Sequence, residues 1–143
     1  MVLKMEECIF CKIVDNEIHS FCVYEDADFK VIMDKFPAQK GHVLIIPKDH
    51  STNIFDISDD AAAKIYPLAK KLSIAIKETL CADGINIVQN NGKAANQAVF
   101  HFHLHIIPRY VDDGVKLNTP TNYVTSDAEI LEVADLIRNK LNS

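Results

Sequence analysis

Hydrophobic and polar positions along the chain follow two periods, and each predicts its own elements. From 101 to 106 the sequence reads His-Phe-His-Leu-His-Ile, a strict alternation, and a period of two is the signature of a β-strand. That strand sends His101, His103 and His105 to one face, each about 7 Å from the next, and Phe102, Leu104 and Ile106 to the other. The apolar face belongs against a core, so the imidazole face lines something else. Residues 21–25 and 29–33 read as strands around the Asp26-Ala27-Asp28 turn, and residues 41–47 as a third, bounded by Gly41 and Pro47. The spacing predicts an antiparallel meander, with Asp34 at the mouth of the polar loop 34–40. Residues 85–89 form the next strand, feeding a small, amide-rich loop, 90–97, that delivers the chain to the histidines.

The helical period appears twice. Ser58-Asp59-Asp60 opens a pattern in which Ala61, Ile65, Leu68, Ala69, Leu72, Ile76 and Leu80 share a face, with acidic residues at the positive end of the helix dipole. Pro67 lies inside it and predicts a kink or a split. Asp83-Gly84 stops it, with Gly84 suited to a left-handed cap. Ser126-x-x-Glu129 is a capping box, and Ile130, Val133, Ala134, Ile137 and Leu141 make a second amphipathic helix. The expected fold class is α+β: an antiparallel β-sheet with one long helix and a C-terminal helix, built as one domain over residues 1–143.

Composition narrows the function. At 143 residues and 48% hydrophobic, the chain has enough material for one core and too little for two. A net charge of −5 without a Lys/Arg run argues against a nucleic-acid polymer, though one small phosphorylated ligand needs only local donors. No apolar stretch reaches the roughly 18 residues that span a bilayer. Glu6-Glu7 stands where a signal peptide would be apolar, so a cytoplasmic location is expected.

Of the four cysteines, Cys22 and Cys81 read as small buried residues, and Cys8-x-x-Cys11 as either half of a zinc site or a redox dithiol. His19 reads as a surface residue. Histidine is the side chain best suited to proton exchange or transient bonding at neutral pH. His103, flanked on both sides, suits a nucleophile, provided a backbone carbonyl or His42 accepts its distal N–H and fixes the tautomer. No carboxylate lies near this strand before Asp112 and there is no Gly-x-Ser-x-Gly turn, which disfavours a serine-hydrolase arrangement.

The run from His101 to Ile107 resembles the His-x-His-x-His-x-x signature of the histidine-triad (HIT) family. The similarity extends from Cys8-Ile9-Phe10-Cys11-Lys12-Ile13 through Gly41-His42-Val43-Leu44-Ile45-Ile46-Pro47-Lys48 to Arg109, and is strongest to the zinc-containing bacterial and protist forms of the Hint branch. The resemblance implies a HIT-like fold, a homodimer with a sheet continuous across it, and a purine nucleotide hydrolase or transferase. Such an enzyme attacks the α-phosphate of nucleoside 5′-phosphoramidates or related nucleotidyl compounds through a nucleotidyl-histidine.

By the same resemblance His103 is the nucleophile, His105 contacts the phosphate and leaving atom, and His42 supports both. Gln97 and the Val99 N–H meet the α-phosphate, Asn90 the phosphoribosyl part and Asp34 the ribose hydroxyls, while Phe10, Ile13, Ile18 and Ile32 form the purine pocket. Cys8, Cys11, His50 and His101 correspond to the ligands of a structural Zn²⁺, a closed set of two thiolates and two imidazoles. Two positions depart from the Hint pattern, Asn96 for a glycine and Ala98 for a hydroxyl residue, and the latter removes a hydrogen bond to the leaving group. Pro108-Arg109 is shared with Fhit-like dinucleoside polyphosphate hydrolases. A nucleotide-binding scaffold with little turnover is the reading from another class.

Overall fold

The computed structural model describes residues 4–117 and 123–143. In chain order its elements are α1 (Ile9–Val14), β1 (Cys22–Glu25), β2 (Phe29–Met33), β3 (Val43–Pro47), α2 (Asp59–Leu80), β4 (Gly84–Val88), β5 (Leu104–Arg109) and α3 (Asp127–Leu141). The strands form one antiparallel sheet in the order β1-β2-β3-β5-β4. β5, the histidine strand, is therefore interior, and β4 is an edge.

Strand alternation separates two cores. On one face Phe29, Val31, Val43, Ile45, Phe102, Leu104 and Ile106 pack under Ile65, Leu68 and Ala69 of α2. On the other, Ile32, Leu44 and Ile46 meet Phe10, Ile13 and Val14 of α1, the face to which the triad imidazoles also turn. α1 was not anticipated, because a six-residue helix is too short to show a period. Cys8 is its N-cap, and the thiol accepts the Cys11 N–H. At its other end Lys30, 1% exposed, donates to the Ile13 carbonyl and to Asn16 Oδ1. A lysine within an apolar strand gives no sign of this in sequence; the ammonium is tolerated because two acceptors, the Ile13 carbonyl and Asn16 Oδ1, take its protons.

Several expectations shift. β1 starts at Cys22, leaving Phe21 exposed. β5 starts at Leu104 rather than at 101, because Pro47 has no N–H to extend the ladder and the Phe102 N–H turns to the Ser51 carbonyl. α2 is continuous through Pro67. The Ala63 carbonyl that Pro67 leaves unbonded lies on an exposed stretch where water can take it. Cys81, not Gly84, takes the left-handed cap (φ 52°, ψ 42°), and Gly84 opens β4. Cys22 and Cys81 are exposed, one on an edge strand and one at a helix cap, rather than buried.

Gly41 holds φ +93°, and a Cβ there would collide with the Leu80 side chain. α3 forms behind its Ser126 cap but buries nothing: Ile130, Val133, Leu136, Ile137 and Leu141 are all exposed. No helix among the described residues is long and apolar enough to cross a membrane.

Candidate active site

His101, His103 and His105 each receive a different hydrogen-bond partner, and those partners fix which ring nitrogen keeps its lone pair. His101 Nε2 lies 2.8 Å from the Pro47 carbonyl, so it carries the proton and donates. Its Nδ1 lone pair faces Cys8 Sγ at 3.3 Å, Cys11 Sγ at 3.5 Å and His50 Nδ1 at 3.1 Å. His103 Nδ1 is 2.7 Å from the His101 carbonyl, so Nδ1–H donates and Nε2 is left bare. Of the two acceptors considered from sequence, the backbone carbonyl is the one used.

The third tautomer comes through His42. Its Nδ1 accepts the Ala38 N–H at 3.0 Å, which puts its proton on Nε2, 2.9 Å from His105 Nδ1. His105 then presents Nε2–H. Neither Ala38 nor Pro47 could be found from side-chain chemistry, since both act through the backbone.

Burial makes these imidazoles neutral. Desolvation holds His103 below the ordinary histidine range, and it presses His105 down to about 4 with help from the neighbouring His103 and His42. His101 also falls to about 4 through burial. In His42 the same penalty outweighs the attraction of Asp34. An unprotonated Nε2 on His103 can act as a nucleophile at neutral pH.

Cys8, Cys11, His50 and His101 each place one ligand atom within 4.8 Å of the others. Tetrahedral zinc with two sulfurs and two nitrogens needs ligand separations of roughly 3.3–3.8 Å, so a small adjustment would admit the ion. Each sulfur accepts a backbone N–H, Cys8 Sγ from Cys11 and Cys11 Sγ from Met5, while burial pushes the Cys11 thiol up, so that a bound cation would be needed to favour its thiolate. The proton of His101 is held by Pro47, the outer support that metal-binding histidines commonly have. Asp34, His42 and His105 make a second cluster of similar size. It suits a metal poorly, because His42 Nε2 would have to give up its proton while Nδ1 already accepts one from Ala38.

Phe10, Ile13 and Ile32 pack together with Ile18 alongside, and the Phe10 ring stands edge-on to His103 at 5.0 Å. The four residues named for a purine pocket are thus gathered beside the triad. Asp34 Oδ1 accepts the Phe36 N–H, leaving Oδ2 turned toward His42. Asn90 reaches the Asn96 carbonyl, and Asn96 itself sits at φ 65°, a conformation asparagine tolerates in place of glycine.

Gln97 departs from expectation. It is 4% exposed, its Nε2 donates to the Thr52 and Val99 carbonyls, and its Oε1 accepts from Gly92 N–H and Asn53 Nδ2. An amide so occupied ties the β3–α2 and β4–β5 connections together and has no N–H left for a phosphate. Arg109 is likewise engaged away from the triad, by Asp113, Asn86 and the Val115 carbonyl. Thr52 and Asn53 carry no signal in the sequence that would have placed them here.

Comparison with known proteins decides the family. The HIT domain matches residues 15–112. The chain belongs to the HIT family. Among HIT proteins it is 38% identical over 135 residues to the adenosine 5′-monophosphoramidase hnt1 of Schizosaccharomyces pombe, covering 94% of this chain and 98% of that one. A HIT family crystal structure from Bacillus subtilis superposes with a TM-score of 0.87 at 35% identity, over 96% of this chain and 99% of the other. A Zn-bound histidine triad protein from Mycobacterium smegmatis gives 0.75 at 34% identity, over 96% and 98%.

Proposed function

We propose that this HIT protein is a single-domain, cytoplasmic hydrolase of purine nucleoside 5′-phosphoramidates and related nucleotidyl compounds, working through a nucleotidyl-histidine on His103. The observation that carries the reading is the tautomer of His103: Nδ1–H held by the His101 carbonyl, Nε2 bare and unprotonated beside an apolar pocket. The yeast relative's phosphoramidase name supports the substrate class.

The steps follow from the protons. Nε2 of His103 attacks the α-phosphorus, forming a P–N bond as the bond to the leaving amine breaks. The amine takes the Nε2 proton of His105. Charge on the phosphorylated imidazole is eased by the Nδ1–H bond to His101. Water, giving a proton back to His105, then cleaves the nucleotidyl-histidine to release the monophosphate and restore His103. Asp34 would receive the ribose hydroxyls, Phe10, Ile13, Ile18 and Ile32 the base, and Asn90 with the Val99 N–H the phosphoribosyl end. Gln97 would act by shaping that loop.

Zinc on Cys8, Cys11, His50 and His101 would supply a closed cross-link with no open position for water. Such a tie would fix α1, and with it Phe10 and Ile13, to the residue just ahead of the nucleophile. A homodimer is part of the same reading. The edge strand β4 and α2 flank a groove of about 670 Å³ lined by Tyr66, Ser73, Ile74, Ile85 and Ile87, and α3 presents an apolar stripe that is exposed among the described residues. The free thiols suit a reducing compartment.

The test is turnover of a fluorogenic adenosine or guanosine phosphoramidate by wild type and His103→Ala. Loss of turnover only in the variant supports the assignment. Nucleotide binding without turnover in wild type would make the protein a scaffold.

A further inference from the structure

His42 has one proton to give from Nε2 and two acceptors in reach. Ala38 N–H occupies its Nδ1, so the proton cannot move to the other nitrogen without setting two donors face to face. The hydrogen bond runs to His105 Nδ1 at 2.9 Å; Asp34 Oδ2, 3.4 Å away, is a second acceptor close by that a small turn of the ring would bring into line. The imidazole is nearer, but a carboxylate is the stronger acceptor, and hydrogen bonds with an ionised partner are roughly twice as strong as neutral ones. The two compete. The other Asp34 oxygen is taken by the Phe36 N–H, so Oδ2 alone decides the matter.

The outcome sets the state of His105. When His42 donates to His105 Nδ1, the His105 proton must reside on Nε2, ready for a leaving group. When the His42 ring turns off His105 to donate to Asp34 instead, His105 Nδ1 loses its donor and can carry the proton itself, and Nε2 then offers a lone pair where a donor is needed. Asp34, His42 and His105 lie within 4.8 Å of one another, with Asp34 and His42 side chains only 17% and 6% exposed, so little water intervenes to blur the choice.

We propose that Asp34 couples sugar recognition to chemistry: ribose hydroxyls donating to its Oδ2 withdraw the competing acceptor, commit the His42 proton to His105, and so arm His105 as an Nε2–H donor. This rests on the nucleotide-hydrolase reading and adds to it. Asp34 and His42 are then positioning residues, and the hydroxyls matter to rate as well as to affinity. A 2′,3′-dideoxy substrate is expected to lose at least about tenfold in kcat with KM changed by less than about threefold. A hydroxyl that only bound would show the reverse split.

Tautomers are read directly by long-range ¹⁵N–¹H correlation on ¹⁵N-histidine protein, whose spectrum also reports folding. Free wild type is expected to show His105 averaged between tautomers, moving to Nε2–H on adding adenosine 5′-monophosphate but not its 2′,3′-dideoxy analogue. Ligand-free Asp34→Ala should show the Nε2–H form unaided, with Asp34→Asn as the variant that keeps the side-chain volume. His105 already fixed in free wild type, and unmoved by nucleotide or by Asp34→Ala, would overturn the proposal. If no nucleotide binds, the functional reading fails, and a tautomer shift in Asp34→Ala alone would leave proton competition without the coupling to ribose. Equal kcat for ribo and dideoxy substrates, with turnover intact, would overturn the coupling while the hydrolase reading stands.

Discussion

Each imidazole in the triad has one ring nitrogen engaged by a single hydrogen bond, and that bond sets the tautomer in this structure. The Pro47 carbonyl, the His101 carbonyl and the His42 ring do this for His101, His103 and His105 in turn. The alternation of His and apolar residues was legible in the sequence, and so were the residue types and their common face. A backbone carbonyl or His42 was legible as a partner for His103. Which carbonyl it would be, and the use of the Pro47 carbonyl by His101, were not, because backbone acceptors carry no mark in the residue types. Burial adds a pH consequence. His105 is lowered to about 4 in the folded chain against an ordinary value near 6.5. At pH above 6.5 both folded and unfolded chains hold this ring neutral. As pH falls from 6.5 toward 4 the unfolded chain takes up the proton first, so stability declines across that window. Metal-free protein should show a melting temperature that drops between pH 6.5 and 4. With His103 also depressed, the acid limb of kcat/KM should lie below 6.5; a limb at or above 6.5 would show the nucleophile to be solvated.

Elements with a long period were the easiest to foresee. α2 runs over 22 residues and its apolar stripe covers the sheet, and the meander β1-β2-β3 pairs as its turns require. Short or locally encoded features escaped: α1 is under two turns, and the start of β5 at Leu104 depends on Pro47 in a neighbouring strand. The loop around Gln97 shows the same limit. Its residue types suggested an anion cradle, while its amide is spent on Thr52, Gly92, Asn53 and Val99. Gln97→Leu therefore leaves several backbone groups unpaired and should destabilise the protein by about 2–4 kcal/mol, read as a lower denaturant midpoint. A variant of unchanged stability with a raised KM would return Gln97 to the phosphate.

Among the described residues, a buried ligand cluster and an exposed strand edge carry expectations for the molecule as a whole. The thiol and imidazole cluster beneath α1 is expected to hold about one zinc per chain, by analogy of its donor set with closed structural sites. Cys8→Ser should lose the metal, melt at lower temperature and bind nucleotide more weakly, while the residual bound fraction still turns over. Zinc-free wild type, purified without chelator, would contradict this, as would a variant that keeps its fold and affinity but loses catalysis outright. The β4 edge, with the exposed Ile74 of α2, is the other feature. Ile74→Asp is expected to shift the sedimentation coefficient from dimer to monomer, and a wild-type monomer would remove the interface.

The claim on which these rest is that His103 Nε2 bonds covalently to phosphorus. Acid-labile adducts survive a quench in base, so the direct measurement is intact and peptide mass spectrometry of protein mixed with a nucleoside phosphoramidate and quenched within one turnover. Wild type should carry one nucleoside monophosphate on the peptide containing His103, and His103→Asn none, though it should still bind mononucleotide within about tenfold of wild type. Turnover at the wild-type rate by His103→Asn, or an adduct on any other residue, would contradict the account.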